Sequence, residues 1–210
     1  MAVVAKRIPV TEDAYFELLE KSDVKLEYWA GTVLGMAGAS DEHCDIEMNL
    51  TGAILPQLKG SECKARSGNQ AVFVSSRNAY VFPDLSVTCG KMERVERKGI
   101  SCLLNPTVIF EVLSPSTSSR DETEKLFAYT SLRSVREYVL VYADRYCVKV
   151  HARIQPDEMW KTSLYEELDA EFVLASCGVA LGLTQIYEAI SFSEHAEDGI
   201  AEQGAEGQGN

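Results

Sequence analysis

Apolar residues recur at helical spacing in three stretches of this chain and alternate or run together in several shorter ones. Thr11 precedes Glu12, Asp13 and Ala14 as a capping residue, and Tyr15, Leu18 and Leu19 then give the first apolar stripe. Leu26 to Leu34 reads as two short strands around a turn at Ala30-Gly31. Ser40 caps a helix expected to run to about Leu58, with Ile46, Leu50, Ile54 and Leu58 four apart on one face. A strand is expected near Ala71–Val74, another across Asp84 from about Tyr80 to Thr88, and another through Glu111 in Thr107-Val108-Ile109-Phe110-Glu111-Val112-Leu113. Ser114 to Ser119 reads as a turn and cap, followed by a helix from about Arg120 to Leu132. Arg136–Tyr142 and Tyr146–Arg153 alternate as a strand pair, Trp160–Tyr165 adds a third strand, short apolar segments fill 168–183, and Thr184–Ile190 gives a last short helix. This order of helices and strands predicts an α/β fold, a mixed central sheet flanked by helices.

The 210 residues suit a single domain over 1–193. The remainder, 194–210, holds Glu194, Glu197, Asp198, Glu202 and Glu206 with no Lys or Arg, and reads as a disordered acidic tail. The net charge is −12, and taking away those five acids leaves −7, which argues against a protein that merely coats nucleic acid. The densest basic cluster, Lys91, Arg94, Arg97 and Lys98, lies in the polar stretch 91–105. No apolar run reaches membrane-span length, and Met1 to Arg7 is too short, with Pro9 close behind, for a signal peptide; no membrane partner and a cytoplasmic location are the expectation. Six scattered cysteines without a C-x-x-C pair predict buried reduced thiols in place of zinc ligands or a disulfide framework.

Chemistry concentrates at three positions. Asp84 follows Pro83, a pairing that also serves as a plain turn or bulge. Glu111 interrupts an otherwise apolar strand, where an ionised carboxylate needs a cation, a hydrogen-bond donor or a metal. Asp121, Lys125 and Tyr129 are four apart along one face of the following helix; they form either a solvated Asp–Lys pair or a stripe facing the carboxylates. Two carboxylates and an ammonium would make an oxygen-ligand site for Mg²⁺, the chemistry of metal-assisted phosphodiester cleavage.

In this order, Pro83-Asp84, Glu111-Val112-Leu113-Ser114-Pro115-Ser116-Thr117, Asp121 with Lys125 and Tyr129, and Arg136-Glu137-Tyr138-Val139-Leu140-Val141 resemble the Uma-two family of restriction endonucleases in the PD-(D/E)XK nuclease superfamily. Leu26-Glu27-Tyr28-Trp29-Ala30-Gly31 and Glu42-His43 are similar to further segments of that family, and the likeness covers roughly residues 10 to 190. The resemblance implies a restriction-endonuclease-like fold and a Mg²⁺-dependent (or Mn²⁺-dependent) endonuclease acting on nucleic acid, with DNA the expected substrate and a homodimer the expected assembly. Asp84, Glu111 and the Val112 carbonyl would be the metal ligands. The superfamily places a lysine two residues after the second acid, where this chain has Leu113, so Lys125 would reach in from the helix instead. Glu27, His43, Asp121 and Tyr129 are accessory candidates, Glu27 being equally readable as a strand residue facing solvent. The competing expectation is a catalytically inactive module that keeps the nuclease fold for binding or assembly.

Overall fold

The computed structural model describes residues 9–36, 38–114 and 118–192. The acidic tail, His195, the N-terminal residues and Pro115–Thr117 of the expected turn lie outside them. Among the described residues, fourteen strands fall into two six-stranded sheets and a hairpin. The first sheet contains β1 (Leu26–Trp29), β2 (Thr32–Gly35), β4 (Val72–Val74), β5 (Ala79–Val81), β7 (Arg94–Arg97) and β8 (Ile100–Leu103), in the order β2-β1-β5-β4-β8-β7. The second contains β3 (Cys63–Ser67), β6 (Leu85–Cys89), β9 (Val108–Leu113), β10 (Glu137–Tyr142), β11 (Val148–Ala152) and β12 (Lys161–Tyr165), in the order β12-β11-β10-β9-β6-β3. β9 and β10 are parallel and their outer neighbours antiparallel, so the sheet is mixed. β13 (Glu171–Leu174) and β14 (Val179–Gly182) form the hairpin.

Helix α1 (Glu12–Lys21) is capped by Thr11, whose side chain accepts from the Ala14 N–H. It buries Tyr15 and Phe16 against Tyr28 and Tyr80 of the first sheet, while Leu18 is exposed. Tyr15 and Leu19 of the expected stripe thus face the sheet, and Phe16 takes the place of Leu18 because the two adjacent rings fill the aromatic cluster. Helix α2 (Asp41–Leu58) is capped by Ser40 and buries Ile46, Leu50, Ile54 and Leu58, as their spacing predicts. These four pack on Val108, Phe110 and Val112 of β9. The intervening residues of β9, Ile109 and Leu113, pack on the other face with Val72, Val81, Ala128 and Tyr129. Strand alternation therefore puts Glu111 on the side of the first sheet, within the apolar interior.

Further expectations are corrected. The strand expected over Tyr80–Thr88 is two: β5 ends in the first sheet and β6 begins in the second, with Phe82-Pro83-Asp84 crossing between them. Proline has no ladder donor, and the break at Pro83 puts Asp84 at the junction of the sheets. The helix expected from Arg120 is α3 (Ser118–Arg120), a π-helical turn Asp121–Lys125 and α4 (Leu126–Thr130). Not all cysteines are buried and reduced: Cys63 faces Cys89 across the β3–β6 register and is disulfide-bonded to it, while Cys44 is exposed. Antiparallel pairing brings the two together across 26 residues, which no linear spacing reports. The polar stretch 91–105 folds as the β7–β8 hairpin, and α5 (Leu183–Ile186) replaces the last expected helix. Among the described residues no helix is long and apolar enough to cross a membrane.

Candidate functional site

A cleft of about 620 Å³ opens at the carboxyl-terminal half of β9, where the two sheets and α2 meet. Glu27, His43, Glu47, Asp84, Glu111, Val112, Arg120, Asp121 and Lys125 contribute to its walls. Each arrives by a local device. β1 supplies Glu27 next to the Ala30-Gly31 turn, where Gly31 has φ +99° and any Cβ would lie 2.7 Å from Pro9 Cβ. Ser40 starts α2 so that His43 and Glu47, four apart, share one face. The break after β5 presents Asp84, and β9 presents Glu111.

Lys125 is the centre of the charge arrangement. Its Nζ lies 3.0 Å from Glu111 Oε1, 3.0 Å from Asp121 Oδ1 and 3.5 Å from Glu27 Oε1. The π turn keeps Asp121 and Lys125 in contact while both are almost fully buried. Tyr129 donates to Glu111 Oε1 at 2.9 Å, and Tyr138 donates to the Asp121 carbonyl at 3.0 Å. Burial alone would drive the Lys125 ammonium toward neutrality, but Glu111, Glu27, Asp121 and Asp84 together lift its pKa above the ordinary value. Glu111 is pushed well above the ordinary carboxylate range, first by burial and then by Asp84, Asp121 and Glu27, with Lys125 opposing. The Tyr129 phenol is raised by the same burial and by the facing Glu111.

Asp84 stands beside β9, next to Val112. Its Oδ2 accepts the Val112 N–H at 2.6 Å, and its Oδ1 lies 3.6 Å from His43 Nε2. Ligand atoms of His43, Glu47 and Asp84 come within 4.8 Å of one another, the compass of one coordination sphere. Burial lowers the His43 pKa, but the hydrogen bond and charge of Asp84, with Glu47 and Asp121, raise it on balance. Glu47 is raised by burial and by Asp84.

Glu27 does not face solvent. It is 2 % exposed and accepts from Arg120 Nη1 at 3.0 Å, Trp29 Nε1 at 3.3 Å and the Phe82 N–H at 3.3 Å, besides contacting Lys125. The solvated Asp121–Lys125 pair is likewise excluded by burial. The structure thus brings Glu27, Glu111, Asp121, Lys125 and Tyr129 into one cluster, and Asp84 with His43 into an adjoining one. The basic cluster of Lys91, Arg94, Arg97 and Lys98 stays apart, on the hairpin at the opposite edge of the first sheet from β2. Sequence reasoning missed Glu47 and Arg120. Glu47 could have been found from its i,i+4 relation to His43, and Arg120 from its place directly before Asp121.

The profile of the Uma2 family, described as "Putative restriction endonuclease", matches residues 12–184. Two uncharacterized proteins of Synechocystis sp. are each 26 % identical to this chain. One, slr1290, aligns over 87 % of this chain and 94 % of its own length; the other, sll1609, over 76 % and 89 %. The crystal structure of a putative nuclease belonging to DUF820 from Anabaena variabilis superposes with a TM-score of 0.69 at 21 % identity, covering 85 % of this chain and 97 % of that one. At that identity the likeness carries the fold: mixed sheets flanked by helices, in the restriction-endonuclease-like manner.

Proposed function

The chain belongs to the Uma2 family of putative restriction endonucleases, and from that premise we propose that it is a metal-dependent nuclease hydrolysing phosphodiester bonds, those of DNA first. The observation that carries the reading is the meeting of Glu111 and Lys125 at 3.0 Å in a cleft that Asp84 also lines. Asp84, Glu111 and the Val112 carbonyl would hold a hard divalent cation, Mg²⁺ or Mn²⁺, with Glu47 as an adjoining donor. The donor set fits such an ion, because oxygens dominate it. Five carboxylates line the cleft against Lys25, Arg120, Lys125 and one imidazole, and a dication offsets that excess. Bound there, the ion would polarise a phosphoryl oxygen and lower the pKa of water.

The chain's own groups divide the remaining work. Lys125 keeps its proton among three carboxylates, so it serves as a fixed positive charge that orients the attacking water and steadies charge developing on the phosphoryl oxygens. His43, beside Asp84 at the cleft wall, takes a proton from the water as the water oxygen bonds to phosphorus and the sugar oxygen leaves. Tyr129 and Asp121 hold Glu111 and Lys125 in place.

Leu113, packed in the core where the superfamily's lysine would stand, favours a second reading, a non-catalytic binding or assembly module. Incubation of the protein with plasmid, single-stranded DNA and RNA, in Mg²⁺, Mn²⁺ or EDTA, separates the two. Metal-dependent loss of substrate is expected; intact substrates under every condition would leave the binding module.

A further inference from the structure

We propose that Arg120 grips the phosphodiester in this cleft, an inference that rests on the nuclease reading and names the residue that would meet the substrate's charge. Three sides of the guanidinium are already occupied. Its Nε donates to Glu124 at 3.3 Å, its Nη1 donates to Glu27 at 3.0 Å, and its plane lies over the Trp29 ring, 4.6 Å from the centroid. The fourth group, Nη2, is buried and has no hydrogen-bond partner. Among the described residues it is the one buried cationic nitrogen in that condition. An orphaned donor of a charged group is costly unless something takes it up, and Arg120 lines the cleft.

The neighbouring cations do not offer the same thing. Lys125 faces three carboxylates, two of them at 3.0 Å, and the attacking water it is proposed to orient, so it has no donor left over for the phosphodiester. Lys25 is exposed and its Nζ donates to the Gly68 carbonyl at 3.1 Å. Glu27 makes Arg120 rigid because Glu27 is itself saturated: one oxygen accepts from Arg120 and Trp29, the other from the Phe82 N–H and Lys125. A guanidinium so clamped loses little freedom when it binds. Its planar, permanently charged fork matches phosphate oxygens better than a lysine ammonium does. Glu27 is therefore a positioning residue, and Trp29 a platform that senses whether Nη2 is engaged.

The chain has two tryptophans, and the other, Trp160, stacks on Arg153 outside this cleft. In the full chain carrying Trp160→Phe, Trp29 emission is titrated with diethyl phosphate, and with uncharged triethyl phosphate as control, with and without Mg²⁺. A saturable change with diethyl phosphate alone is expected, weakened at least tenfold by Arg120→Lys and lost in Arg120→Ala. Cleavage kcat/KM should fall on the order of 10²-fold in Arg120→Lys, as for loss of one aimed donor. Arg120→Lys keeps the charge beside Glu27, so it decides the matter should Arg120→Ala fail to fold. If Arg120→Lys binds and cuts as the parent does, or the folded parent gives no saturable signal, the proposal is overturned while the nuclease reading stands. Binding through Arg120 in a protein that cuts no nucleic acid would instead overturn the nuclease reading and leave the phosphate site.

Discussion

Glu111 sits in the middle of an all-buried strand, and that position explains both its chemistry and its cost to the fold. Its pKa is raised above the ordinary 4.5, so folding takes up a proton there. The sign follows by linkage: the group favours the folded state fully below pH 4.5, and that contribution drains away as pH rises through the folded value. Urea unfolding in EDTA between pH 5 and 8 should show the parent losing stability with rising pH and Glu111→Gln losing less; equal slopes would contradict the assignment. Glu111 was legible in the sequence because a charged residue inside Val108–Leu113 demands a partner. Arg120 and Glu47 carried only weak signals, adjacency to Asp121 and i,i+4 spacing to His43, because a lone basic residue or a helical glutamate is ordinary until the fold sets it beside other charges. Glu27 shows the same limit: a four-residue strand does not reveal which face is covered, and only the Phe82 N–H, Trp29 and Arg120 around it decide that.

At the scale of elements, α2 could be read almost to the residue, because a serine cap and four evenly spaced apolar side chains agree. The π turn Asp121–Lys125 could not be read. Propensity does not separate π from α geometry, and here the register answers to distant partners: Lys125 must reach Asp121, Glu111 and Glu27 together. Deleting the exposed Thr123 should restore an ordinary α-helical turn and rotate Asp121 about 100° relative to Lys125. Circular dichroism should then remain native while nucleic-acid cleavage is lost; full cleavage by the deletion variant would show that this register is unimportant. The split at Pro83 is a similar case. Two three-to-five-residue strands in line look like one strand until each pairs with a different sheet.

At the scale of the whole molecule, the proposed function sets a protein of net charge −12 against an acidic polymer. The cleft at the junction of two sheets gathers five carboxylates, and on the proposed function a bound dication would reconcile that charge with a phosphodiester. Mg²⁺ should therefore raise the melting temperature, by a stabilisation of about 2.7 kcal/mol at a hundred times its dissociation constant. Glu47→Gln should reduce the rise and Asp84→Ala abolish it; a rise that persists in Asp84→Ala places the ion elsewhere. The class of fold and the order of its motifs were legible along the chain. The pairing of strands into two sheets was not, since nothing local says that β5 and β6 part company or that Cys63 meets Cys89. The most direct test of the account is the cleavage rate of the parent in Mg²⁺ beside Asp84→Ala, Glu111→Ala and Lys125→Ala. Each substitution is predicted to slow cutting by about 10²–10³-fold or more, whereas three variants that cut at the parental rate would contradict it.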